Sequence, residues 1–199
     1  MPRSVISLLA LILFSYPLLA RSPSCRLDLG KCAWYKSCLE SKVKCGPEGY
    51  PLGFAKYYCD KFGKKDFVSP ATDKWLDNVR LCLQRSLKHV LWGESVNCPQ
   101  VADLGFGSHS DCYIAESDHS PADAPSICFL PIKDLTTIIR TIEGKAWRHP
   151  SIQGQFATVA RRCVWKIGRN KDLDQDTEDN NRLEFWLSIL NRSNEASSH

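Results

Sequence analysis

Ten cysteines in 199 residues constrain this chain more than any other feature. They are Cys25, Cys32, Cys38, Cys45, Cys59, Cys82, Cys98, Cys112, Cys128 and Cys163. Read as disulfides they form five bridges with no thiol left over, each contributing about 2–4 kcal/mol by restricting the unfolded chain. Zinc is a poor alternative, because the chain holds no CxxC or HxxxH pair. The same lack argues against a thioredoxin-like redox site. Spacing alone leaves the pairing open.

Bridges need an oxidising compartment, and the first residues point to one. Arg3 precedes a run from Val5 to Ala20 that carries no charge and is broken by Pro17. This is short for a membrane span and reads as a secretory signal, residues 1–20, with cleavage after Ala20. Charges interrupt every later apolar run, so no membrane insertion is expected after cleavage. The mature chain is expected to be secreted and extracellular. With 26 Lys+Arg against 22 Asp+Glu, net charge is only +4 and acids interleave throughout, which gives no nucleic-acid footprint.

Apolar spacing predicts an all-α fold: a disulfide-rich helical single domain with five intrachain disulfides over 21–170. Trp34, Tyr35, Cys38 and Leu39 place a short helix over 32–43. A second helix carries Phe54, Tyr57, Tyr58 and Phe62 after the turn at 45–51. Ser69-Pro70 opens the best-patterned helix, about 22 residues long, with Trp75, Val79, Cys82, Leu83, Leu87 and Val90 on one face. Pro99 opens another, weakened by Gly105 and Gly107. Residues 115–127 read as a polar loop; Leu135, Ile138, Ile139 and Ile142 as a helix ended by Gly144; and His149-Pro150 as the start of one that stops at Gly168. The remainder, 171–199, reads as an acidic linker to 181, a short amphipathic helix and a frayed tail after Asn191.

Catalytic signals are sparse. No GxSxG occurs, and the disulfides leave no thiol nucleophile. His109 and Asp111 invite comparison with the His-Asp pair of a secreted phospholipase. Ser110 separates them, however, and no glycine-rich calcium loop precedes them, so His109 reads as a surface or capping residue. Asp172, Asp174 and Asp176 match the first, third and fifth positions of an EF-hand loop. The sixth is Thr177 instead of Gly and the twelfth is Leu183 instead of Glu, so no calcium site is expected. No enzyme activity, cofactor or metal is predicted. Asn191-Arg192-Ser193 is an N-glycosylation sequon in a secreted chain. Gly63-Lys64-Lys65, superficially an amidation and cleavage signal, reads as a basic turn, and Arg161-Arg162 as a helix face.

The cysteine order resembles that of the stanniocalcins, a family of secreted glycoprotein hormones. Cys38-Leu39-Glu40 is similar to the family's CLE, and Cys45, Gly49-Tyr50 and Cys59 with Phe62 to its cysteine–Gly–Tyr–cysteine segment. Trp75 stands seven residues before Cys82, and Cys98 and Cys112-Tyr113 keep the family's intervals, as does the gap from Cys128 to Cys163. The chain departs from the pattern in lacking the family's last, inter-chain cysteine. The resemblance implies the pairs 25–38, 32–59, 45–98, 82–112 and 128–163. It also implies a signalling protein with a role in calcium and phosphate balance, acting by binding a cell-surface receptor or extracellular protein. Leu183, Phe185, Trp186, Ile189 and Leu190 are similar in apolar pattern to the family's dimer region, which makes them a candidate face for a non-covalent homodimer. Two other readings remain: a toxin-like or lipid-binding disulfide-rich module presenting an apolar groove, and a secreted hydrolase. A phospholipid hydrolysis panel and a lipid-extraction assay separate them.

Overall fold

The structure, a computed structural model, describes Cys25 and residues 30–93, 95–142, 144–147, 150–169 and 177–196. The signal segment and Asp172, Asp174 and Asp176 therefore lie outside the described residues. The fold is all-α, with no strand among the described residues. α1 covers 35–43, a π-helical Tyr35–Glu40 running into Ser41–Val43, and α2 covers 50–62 in the same way, Tyr50–Lys56 then Tyr57–Phe62. α3 is Pro70–Ser86, α4 Lys88–Trp92, α5 Cys98–Tyr113, α6 Ile132–Thr141, α7 Gly144–Trp147, α8 Pro150–Arg169 and α9 Thr177–Ala196. A 3-10 turn, Ile127–Phe129, precedes α6.

The α3 start is as the sequence predicts: the Ser69 side chain accepts from the Ala71 N–H, and Pro70 occupies the first turn. A second cap comes from far away in sequence. The buried Asp134 carboxylate on α6 accepts from the Val68 and Ser69 N–H groups and from the Thr72 hydroxyl. It thereby places a negative group at the positive end of α3. The expected continuous helix breaks at Leu87 into α3 and α4. Ser86 turns its hydroxyl back onto the Cys82 carbonyl, a contact that bends helices, and Leu87 takes φ −94°, ψ −1°. The break carries Leu87 and Val90 away from the α3 core and onto α1.

Two apolar clusters result. One joins α3, α5, α6, α8 and α9 around Trp75, Leu135, Phe156 and Trp186. The other joins α1, α2, α4 and the first turns of α5 around Trp34, Tyr35, Leu39 and Val101. Phe54 and Phe106 pack against both. The disulfides follow this division. Cys25–Cys38, Cys32–Cys59 and Cys45–Cys98 staple the second cluster, while Cys82–Cys112 and Cys128–Cys163 lie within the first. They are the five pairs that the resemblance implies.

The C-terminal segment differs most from expectation. Residues 177–181, read as linker, are the first turns of α9, and the helix runs past Asn191 to Ala196. Glu178 and Asp179 sit in its first turn, where a helix N-terminus favours acids. Glu178 and Asp179 pair with Arg182, which also donates to the Leu130 carbonyl and so fastens α9 beside the 3-10 turn. α9 is part of the same core as α8, with Trp186 fully buried. Smaller differences concern the glycines. Gly144 opens α7 where a helix end was expected, and α8 continues through Gly168 to Arg169.

Candidate functional site

Where the two clusters meet, the helices enclose an aromatic chamber of about 60 Å³. α1 brings Tyr35 to its wall, α2 Tyr50 and Phe54, α3 Trp75 and Arg80, α5 His109 and Tyr113, and α8 Gln155 and Phe156. The rings interlock edge to face: Phe54 and Phe106 centroids are 4.7 Å apart, and His109 and Tyr113 are 5.5 Å apart at 90°. Gly105 makes this possible. A Cβ there would lie 2.1 Å from Tyr50 Cζ, so only glycine lets the ring rest on α5. Gly63 serves Arg80 similarly, since a Cβ there would come 2.7 Å from a guanidinium nitrogen.

Burial sets the electrostatics. It pushes the phenols of Tyr35, Tyr50 and Tyr113 well above their ordinary pKa of 10. The phenols are close enough to act on one another: Tyr35 and Tyr113 each raise Tyr50 further, whereas Arg80 opposes the rise at Tyr35. Burial also lowers His109 from 6.5 to about 4, against the opposing pull of hydrogen bonds to the Gly105 and Phe106 backbone. Its imidazole is therefore neutral at physiological pH. Nδ1 lies 2.6 Å from the Gly105 carbonyl oxygen, so Nδ1 carries the proton.

His109 is thus no surface residue; it is 3% exposed and lines the chamber wall. Asp111 is not brought to it. That carboxylate pairs with Arg162 of α8, which also reaches Glu116. Among the described residues no three His, Cys, Asp or Glu side chains gather as metal ligands. Asn191 is exposed, on α9 instead of in a tail. The predicted self-association face turns inward: Trp186 and Ile189 are buried in the chain's own core, with Leu183, Phe185 and Leu190 packed beside them. Lys64 and Lys65 occupy an exposed turn behind α2.

Sequence reasoning missed Tyr50, Arg80 and Gln155 as members of one site. The available signal was Gly105, a glycine inside an otherwise well-capped helix, which marks a close approach.

No protein-family model, curated protein or solved structure matches this chain. The functional reading therefore rests on the residues themselves. No helix among the described residues is long and apolar enough to cross a membrane. Two tryptophans stand exposed on the outside of the molecule, Trp92 of α4 beside Lys88 and Trp165 of α8 beside an arginine. Arg161, Trp165 and Arg169 follow one another at four-residue intervals along α8, all exposed, Trp165 to 57%. The Arg169 guanidinium lies 4.5 Å from the Trp165 ring centroid.

Proposed function

We propose that this protein is a secreted, stanniocalcin-like signalling protein that acts by binding an extracellular protein or cell-surface receptor, with no chemistry of its own. One observation carries the reading. The five bonds join Cys25–Cys38, Cys32–Cys59, Cys45–Cys98, Cys82–Cys112 and Cys128–Cys163, the same set that the cysteine order suggests by resemblance. Ten cysteines allow on the order of a thousand complete pairings, so agreement in all five supports the likeness. The N-terminal leader and the number of bridges support secretion. The exposed Asn191 suits a glycoprotein.

The α8 face is the best candidate for contact with a partner, because exposed tryptophan and arginine are the residues most often decisive in protein interfaces. A non-covalent homodimer would need a face other than Trp186 and Ile189, which the chain's own core occupies. Resemblance points to calcium and phosphate balance as the role.

The test applies the purified, oxidised protein to epithelial monolayers and follows labelled calcium and phosphate uptake. A saturable, dose-dependent change, lost after reduction and alkylation, is expected. Uptake that stays flat over the full dose range, with no saturable binding to the cells, would contradict the reading.

A further inference from the structure

The aromatic chamber presents an imbalance of hydrogen-bonding groups. Three buried polar atoms on its wall have no partner: Tyr50 Oη, Arg80 Nε and Gln155 Nε2. Tyr50 is 5% and Gln155 8% exposed, so water outside the protein does not serve them. Each unpartnered group carries the full penalty of leaving water, and three on one wall is a concentration that calls for a cause. All three can donate: a phenol, an amide and a charged guanidinium. The remaining wall is hydrocarbon, from Phe54, Leu76, Ile138, Ile152 and Phe156.

We propose that this chamber is a binding site for a short-chain carboxylic acid, its carboxylate turned to Tyr50, Arg80 and Gln155 and its hydrocarbon tail to the apolar wall. The chemistry follows from the donor set. Arg80 already pairs through Nη1 with Asp77 and donates from Nη2 to the Cys59 carbonyl, which leaves Nε as its one unpartnered nitrogen. A carboxylate accepts several hydrogen bonds at once, whereas an amine would add a fourth donor and a second positive charge. Size follows from the volume. About 60 Å³ admits roughly four to six water-sized groups, which matches butyrate better than acetate or a long fatty acid. Access follows from the neighbouring surface cleft of about 310 Å³, which shares Phe54, Tyr58 and Ile152 with the chamber. Rotation of those side chains would connect the two. The site is distinct from the α8 face, whose Trp165 lies on the exposed side of that helix, opposite Phe156.

Isothermal titration of the intact oxidised protein with butyrate, acetate and n-butylamine tests this. Saturable binding of butyrate is expected, with acetate at least about tenfold weaker and n-butylamine silent. Tyr50→Phe removes one hydroxyl and nothing else, and should weaken butyrate about tenfold. Gln155→Leu keeps the volume and should do the same, and it decides the matter alone should Tyr50→Phe fail to fold. No saturable butyrate binding, equal binding of n-butylamine, or unchanged affinity in the folded variants would each overturn the proposal.

Discussion

Acidification should destabilise this protein through a single buried imidazole. In the folded chain burial holds His109 down to about 4, against 6.5 when it is free. The sign follows directly. Below the ordinary value the unfolded chain takes up a proton that the folded chain refuses, so stability is complete above 6.5 and is lost as pH falls toward 4. Full loss amounts to about 3 kcal/mol, since one pH unit of difference in affinity for a proton is worth about 1.4 kcal/mol. At pH 5.5 roughly 1 kcal/mol should already be gone. Carboxylates titrate nearby, so the measurement is a difference. Urea midpoints of the oxidised wild type and of His109→Gln are followed between pH 7 and pH 5. The wild-type curve should fall more steeply by about 1 kcal/mol at pH 5.5. Parallel curves would refute the burial of a neutral imidazole and, with it, the chamber geometry.

Four further outcomes follow. Gly105→Ala brings a Cβ to within 2.1 Å of the buried Tyr50 ring, and overpacking of that kind costs about 1–3 kcal/mol despite alanine's better helix propensity; a stabilised variant would mean the ring rests elsewhere. Asp134→Ala leaves two N–H groups and a buried hydroxyl at the α3 start without their carboxylate, and should lower unfolding free energy by about 3 kcal/mol; a urea midpoint close to wild type would contradict the cap. Raised phenol pKa values at Tyr35, Tyr50 and Tyr113 mean that stability is intact below about pH 10 and falls above it, and that these rings develop phenolate absorbance only as the chain unfolds; smooth titration of every tyrosine in the folded state would contradict this. Trp165→Ala should change stability by less than about 0.5 kcal/mol while weakening saturable cell binding at least tenfold; unchanged binding would remove α8 as the contact face.

The parts of the fold that could be read beforehand are those governed by local pattern. Ser69-Pro70 fixes the start of α3 through its own side chain and ring, and Leu135 and Ile138 mark the buried face of α6. Long-range causes were invisible. Asp134 reaches across 65 residues to cap α3, and nothing near position 134 announces it. The break at Leu87 was hidden because its apolar spacing continues unbroken while its burial switches to a different cluster. In 177–181 a run of acids and asparagines has the composition of a linker, and only Arg182 and the packing of Trp186 turn it into helix. His109 was misplaced for a related reason: its surroundings in sequence, GSHSDC, are polar, but α5 turns it toward Tyr50 and Phe54, which another helix supplies. Gly105 offered the one legible clue to that chamber, and it reads first as a weakness of the helix.

The disulfide pairing is the point on which the account turns, and non-reducing digestion of the oxidised protein followed by mass spectrometry measures it directly. The account predicts five linked peptides, joining Cys25 to Cys38, Cys32 to Cys59, Cys45 to Cys98, Cys82 to Cys112 and Cys128 to Cys163, with no free thiol. A different set of partners, or unpaired cysteines, would contradict both the scaffold and the hormone-like reading built on it.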